Sequence, residues 1–449
     1  MFIRNINFVI IILFLLLAAC KAEDNSDTYP PTLMESSPAD GAISVNANTI
    51  IALKFTEQII IISNPQVTLN NKVVSVTLTP RTLTINAILE PNSSYTLIIP
   101  ANTISDVAGN YAKEIKITFT TLSVTAFNIS TSLVTPNPTT QTVNLYNFLK
   151  QSFGTKVISG TMANHSTNII EASWVHTQTG KWPAMTFFDL IDHTNLNQNW
   201  INYSAPLTLS KDWWNNNGVV GFSWHWRDPL TKSGSFYVPS AATSPDKGTT
   251  FDILKVSDTN SAEYKAMIVD IDVIAGYLKE FKDAEIPVIW RPLHEASGAW
   301  FWWGAAGPEP CKALWKLMFD RLVNFHGLNN LIWVWTSDTK SSALNWYPGD
   351  EYVDIIGMDI YPGANHHESQ YLEFNKIKEI FKGKKIIALT ECGSVPDPAL
   401  MKSTGDMWSW FMPWNGDFTE SDNHNGVNWW KKFFNYDFVI TRDKMPNLK

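Results

Sequence analysis

Between Lys156 and Trp414 the chain repeats one pattern eight times: a short apolar run ending in polar or aromatic residues, then a longer amphipathic stretch. The runs are Lys156 to Gly160, Ala184 to Asp189, Val219 to His225, Pro287 to His294, Leu331 to Thr336, Val353 to Tyr361, Lys385 to Glu391 and Trp408 to Trp414. Apolar runs without polar alternation suit strands covered on both faces, and such strands need helices packed against their sheet. The stretch from Ser261 to Ala284 predicts one of these helices, with Tyr264, Met267, Ile268, Ile271 and Ile274 on one face. Eight units of this kind close into a (β/α)8 barrel, the TIM barrel of the parallel α/β class, whose chemistry collects at the C-terminal ends of the strands.

The chain before the barrel reads differently. Segments at Thr49 to Phe55, Val67 to Leu69, Val73 to Leu78, Ser94 to Ile99 and Ile115 to Phe119 are short, rich in β-formers and separated by Asn, Gly, Pro and Ser. They predict a small all-β sandwich over 29–122. Its Ser37-Pro-Ala-Asp-Gly41 and Ile104-Ser-Asp-Val-Ala-Gly109 segments resemble a bacterial immunoglobulin-like domain. A Thr/Ser/Asn/Pro stretch, 123–142, reads as a linker, which leaves 143–449 to the barrel. Residues 1–20 carry Arg4, an apolar run from Phe8 to Leu17, and then Leu17-Ala-Ala-Cys20. This is a secretory signal that resembles a bacterial lipobox, and the resemblance implies a diacylated Cys20 as mature N-terminus. The acidic tether Lys21-Ala-Glu-Asp-Asn-Ser-Asp27 resembles the export signal of surface lipoproteins. The expected address is therefore the bacterial cell envelope, lipid-anchored at the outer membrane and displayed at the surface.

Composition narrows the partners. A formal net charge of -8 opposes a nucleic-acid groove, which needs clustered Lys and Arg. All 20 tryptophans lie from Trp174 onward, so the aromatic surplus belongs to the barrel and favours a neutral glycan. Besides Cys20 the cysteines are Cys311 and Cys392, with no metal-ligand spacing. The adjacent His366 and His367 lack a third ligand nearby in sequence, so neither a metal nor a cofactor is expected.

The fourth run carries the most chemistry. Ile286-Pro-Val-Ile-Trp-Arg-Pro-Leu-His-Glu295 leads into Gly298-Ala-Trp-Phe-Trp-Trp-Gly304, placing Arg291, His294 and Glu295 beside a loop of indoles. A carboxyl group at a strand end beside flat apolar faces suits work on a sugar, although an Arg291–Glu295 ion pair capping the strand is the simpler alternative. Other strand ends bring His225, Asp359 with Tyr361, Glu391, and Trp414 to the same mouth. Glu295 and Glu391, on strands four and seven, would face one another across it. A separation of about 5–5.5 Å would make the pair a retaining one. Trp302 and Trp303 read as packing, and Asp228, Asp338 and Asp350 as turn or capping acids.

Taken with Trp346-Tyr-Pro-Gly-Asp350 and Tyr352-Val-Asp-Ile-Ile-Gly-Met-Asp-Ile-Tyr361, these motifs make residues 145–449 resemble glycoside hydrolase family 26, whose main members are endo-β-1,4-mannanases. The resemblance implies Glu295 as acid/base and Glu391 as nucleophile, with His294 and Tyr361 holding the nucleophile and Asp359 supporting them. It also implies His225 at the cleavage subsite and Trp300 and Trp414 as sugar platforms. The implied partner is a β-mannan polysaccharide or its oligosaccharides. Mixed-linkage β-glucan and β-1,3-xylan are the alternatives within the family, and a glycan-binding protein on a hydrolase barrel is the alternative outside it. One departure stands out: several family members carry Arg directly after the strand-eight tryptophan, where this chain has Asn415. If acyl chains on Cys20 hold the protein, Cys20→Ser should release it from membrane fractions, read by fractionation and immunoblotting; retention after signal cleavage would point to a protein partner instead.

Overall fold

The structure, a computed structural model, describes residues 27–47, 49–62, 64–122, 126–194, 204–231 and 235–449. Cys20 and the signal segment lie outside them. Among the described residues no helix is long and apolar enough to cross a membrane. The chain divides into two compact units, one ending at Thr121 and one beginning at Leu122.

The first unit is a β-sandwich. One sheet has the order Leu33–Ser37, Ile51–Phe55, Thr82–Asn86, Ser75–Thr79; the other runs Ala42–Val45, Ile115–Thr121, Ser94–Ile99, Thr68–Leu69, Lys72–Val73. Inward residues alternate along the central strands, and Leu53, Phe55, Leu83, Leu97, Ile117 and Phe119 form the core. The Ser37–Gly41 turn is pinned by Asp40, whose Oδ1 accepts from the Thr118 N–H at 2.8 Å and the Thr118 hydroxyl at 2.9 Å. Leu33–Ser37, Ala42–Val45 and Thr82–Asn86 were not among the segments legible as strands. The first two are short sheet-edge strands whose burial alternates little, which leaves little pattern to read.

The second unit is the closed eight-stranded parallel barrel. Its strands, numbered here, are β1 Val157–Met162, β2 Met185–Asp189, β3 Val219–Trp224, β4 Val288–Pro292, β5 Leu331–Thr336, β6 Ile355–Ile360, β7 Ile386–Cys392 and β8 Trp410–Pro413, with β8 returning to β1. Every residue of β1 to β5 is buried, the environment that their unbroken apolar sequences require. The helix expected from Ser261 spans Ala262–Asp283, capped by the Ser261 hydroxyl accepting from the Tyr264 N–H at 3.0 Å, and it buries Met267, Ile271 and Ile274. A further two-residue strand, Val439–Ile440, adds to the start of β1 outside the barrel.

The linker expectation for 123–142 needs correction where the chain is described. Residues 126–139 are laid against the N-terminal side of the barrel, and a helix begins at Thr140. The Asn128 N–H donates to Gly383 O at 2.8 Å, the Val134 N–H to Asp354 Oδ1 at 2.8 Å and the Thr135 hydroxyl to Leu331 O at 3.0 Å. Phe127, Ile129, Leu133 and Val134 pack on the barrel core. The polar composition had suggested free chain, but backbone groups and four spaced apolar residues do the anchoring.

A barrel beginning at residue 126 should keep its melting temperature, whereas one beginning at 140 leaves the buried Asp354 carboxylate without its Val134 donor. At roughly 3 kcal/mol for the lost bonds, melting of a barrel this size should fall by about 4–5 °C, measured by calorimetry of the two truncations.

Candidate active site

The mouth is built around a buried guanidinium. Arg291, on β4, is 0% exposed, and its Nη1 donates to Glu391 Oε1 at 2.8 Å while Nη2 pairs with Asp359 Oδ2. Its remaining donors reach Thr336 Oγ1 at 3.0 Å and Ser223 Oγ at 3.3 Å. A buried charge survives only with this kind of full pairing. The alternative Arg291–Glu295 ion pair is therefore not formed: the guanidinium faces β6 and β7, and Glu295 lies beyond Pro292 in a turn.

Two local irregularities aim the carboxylates. Between β6 and β7 the register slips, with Met358 opposite Leu389 but Asp359 opposite Glu391, so Thr390 is the extra residue of a bulge. The bulge makes Asp359 and Glu391 neighbours, and the Thr390 hydroxyl donates to Asp359 Oδ1 at 2.7 Å. Gly357 makes room: a Cβ there would stand 2.5 Å from Thr390 Oγ1. After β4, Leu293, Glu295 and Ala299 all take left-handed backbone with φ of 49°, 52° and 58°. Three such non-glycine residues in seven positions mark stored strain, here at the turn that presents Glu295.

Glu295, Asp359 and Glu391 each offer an oxygen within 4.8 Å of the others. That places Glu295 and Glu391 near the roughly 5–5.5 Å of double displacement and short of the roughly 6.5–9.5 Å that inversion requires. Such a trio has the donors a divalent cation takes, yet Arg291 already occupies the face between two of its members. In the sandwich unit Asp27, Glu57 and Asp106 make a second acidic group of this kind.

The groups around the trio fall into two sets. Tyr361, just past β6, donates its hydroxyl to Glu391 Oε2 at 2.7 Å, as expected. His294 Nε2 stands 4.0 Å from Glu391 Oε1 and 3.0 Å from His225 Nε2, so the close cation on Glu391 is Arg291 and not His294. His225 is fixed in turn by Asp189 at the end of β2, a residue not singled out in the sequence: Nδ1 pairs with Asp189 Oδ2, and the His225 N–H donates to Asp189 Oδ1 at 3.1 Å. Both ring nitrogens of His225 thus meet protein groups, and its ring packs among Phe236, Phe301 and Trp414. Trp414 sits edge-on to it with centroids 5.8 Å apart. Trp300 is 38% exposed and donates its indole N–H to Glu295 Oε2 at 3.0 Å. Trp302 and Trp303 are fully buried packing, bonded to Trp226 O and His294 O.

Burial sets the proton balance. It raises Glu295 to about 7, helped by the Asp359 charge and opposed by Arg291 and the Trp300 N–H. Burial raises Glu391 at least as far, again with Asp359. The three carboxyls and one guanidinium therefore hold a shared proton near neutrality. Both Glu391 oxygens already accept from donors, Arg291 on one side and Tyr361 on the other. Glu295 accepts from Trp300 alone among these groups, so the proton belongs on Glu295. Burial, His225 and Arg291 hold His294 well below the usual imidazole range, keeping it neutral. Its Nδ1 is buried without a partner, which suits a bare nitrogen, with the proton on Nε2.

A barrel with two glutamates held close together beside a partly exposed indole at its mouth has the architecture of a glycoside hydrolase. Residues 134–444 match the model of glycosyl hydrolase family 26, and the chain belongs to that family; residues 27–121 match a bacterial Ig-like domain. A β-mannanase from a symbiotic protist of the termite Reticulitermes speratus, solved with a gluco-manno-oligosaccharide, is 41% identical over 72% of this chain and 99% of its own, with a TM-score of 0.68. The GH26 domain of an endo-β-mannanase/endo-β-glucanase from Prevotella bryantii is 32% identical over 71% of this chain and 100% of its own, with a TM-score of 0.61. A mannan endo-1,4-β-mannosidase of Thermothelomyces thermophilus is 36% identical over 71% of this chain. This chain spans 64% of that relative's length and 51% of a Piromyces mannan endo-1,4-β-mannosidase.

In protein labelled with 13C at glutamate carboxyls, one glutamate should titrate near pH 7 and vanish in Glu295→Gln. Because the Trp300 N–H favours the ionised form, Trp300→Phe should move that titration to higher pH; an unchanged or lower value would contradict the bonding described.

Proposed function

We propose that this protein is a retaining endo-β-1,4-mannanase that cleaves mannan, glucomannan or galactomannan by double displacement. Glu295 protonates the departing oxygen as Glu391 attacks the anomeric carbon; the resulting carboxylate of Glu295 then draws a proton from water, which releases the sugar from Glu391. Tyr361 and Arg291 keep the nucleophile ionised, and the Tyr361 hydroxyl also faces the positive charge that develops near the ring oxygen. His225 and Trp414 flank the sugar on the nucleophile's side, with Asp359 fixed behind it. The observation that carries this reading is Glu391, held on both oxygens by donors and within 4.8 Å of a Glu295 that accepts from the Trp300 N–H. The mannanase names of the relatives support the choice of polymer. The lipobox at Cys20 supports attachment to the cell envelope, with the Ig-like unit as a spacer.

Product analysis on mannohexaose, galactomannan, lichenan and β-1,3-xylan tests polymer and mode together; release of mid-length fragments from mannans alone is the expected result. Glu391→Ala should lose turnover, and azide should restore part of it as the inverted glycosyl azide. Glu295→Ala should be crippled on mannans yet show a burst on an aryl mannobioside with an acidic phenol, since that phenolate leaves unassisted. Equal losses on both substrates would remove Glu295 from the acid role.

A further inference from the structure

A cleft of about 110 Å³ opens beside Glu295 and Asp359, and neither His225 nor Trp414 lines it. Its walls come from the ends of β4, β5 and β6, and include Glu295, Ser297, Trp300, Ser337, Asp338 and Lys340. The Trp300 indole lies close over Gly298, where a Cβ would come within 2.2 Å of Cη2, so its ring forms a flat apolar wall beside the turn. The cleft is also lined by polar residues. Asp338 Oδ2 accepts from the Ser297 hydroxyl at 2.7 Å, and Lys340 Nζ stands 3.4 Å from the same oxygen. Asp338 had read as a turn acid, and it does hold the turn, since its Oδ1 accepts from the Lys340 N–H at 3.0 Å. That bond leaves the Lys340 ammonium, 66% exposed, and the cleft side of the carboxylate with hydrogen-bonding capacity to spare.

We propose that Asp338 and Lys340 are the polar wall of the site for the departing sugar, with Trp300 as its apolar wall. The inference rests on the glycosidase reading above and assigns residues to the side of the site that reading leaves unfilled. Glu295 protonates the oxygen between two sugars and therefore stands at their boundary. One sugar lies over Glu391 with His225 and Trp414, and the other falls in the cleft. A carboxylate and an ammonium side by side present an acceptor and a donor about one diol apart, which matches neighbouring hydroxyls on a pyranose whose C–H face rests on the indole.

Lys340→Met should lower kcat/KM on mannotetraose about tenfold, while an aryl mannobioside, whose leaving group has no sugar hydroxyls, should lose no more than about twofold. Asp338→Asn, which keeps an acceptor for the turn, should show the same selective loss with the alkaline limb of its pH profile in place. Equal losses on both substrates, or no loss on either, would overturn the assignment of Lys340. A displaced alkaline limb in Asp338→Asn would mean that Asp338 acts on Glu295 through Ser297 and not on sugar. A wild type that cleaves neither substrate would overturn the mannanase reading itself, an outcome distinct from an active wild type with unselective variants.

Discussion

The Arg291 guanidinium, sealed in the barrel and shared between Asp359 and Glu391, is the interaction on which the site depends. Moving an unpaired guanidinium from water to such a place costs several kcal/mol. Here Asp359 and Glu391 outweigh burial and hold Arg291 firmly charged. The dependence is mutual. Without the cation, Asp359 and Glu391 would be adjacent buried carboxylates that could not both ionise. Thr336 and Ser223, from β5 and β3, take two further guanidinium donors, so strands on both sides of β4 converge on one planar group.

Regular barrel geometry alone would not produce this arrangement. A strict two-residue alternation along β7 opposite β6 cannot set both Asp359 and Glu391 toward the same cation; the extra residue at Thr390 changes the phase, and its hydroxyl then anchors Asp359. On the other side of the mouth, left-handed backbone at Leu293, Glu295 and Ala299 turns the chain back over itself. The strain is supported by buried bonds from Trp303 to His294 O and from Trp302 to Trp226 O. The indoles read as mere packing therefore hold the turn that carries Glu295.

Electrostatics divide the labour between two residues of one type. Burial raises both glutamates, which by itself would leave either one protonated. The donors decide: Glu391 has a cation and a hydroxyl, and Glu295 has a single indole N–H. The Asp189–His225–His294 chain adds a neutral imidazole at 4.0 Å from Glu391, close enough to shape the pocket without supplying its counter-charge.

The sequence by itself determined the eight strands, because a strand covered on both faces needs an apolar-rich run and the residues at the barrel mouth can only follow where that run ends. Glu295, Glu391, Tyr361, His225 and Trp414 were legible for that reason. The partner of Arg291 was not: the choice between Glu295, four positions away, and Glu391, 100 positions away, depends on which neighbours the closed barrel brings to β4. The role of Asp189 was hidden likewise, since its contact with His225 exists only across the β2–β3 boundary. The chain before the helix at Thr140 looked like free linker because composition reports solubility, while its attachment to Asp354 and Leu331 uses backbone and hydroxyl groups with no distinctive pattern. Tertiary structure alone decided which carboxyl keeps its proton, because that depends on how many donors reach each oxygen once the strands have closed.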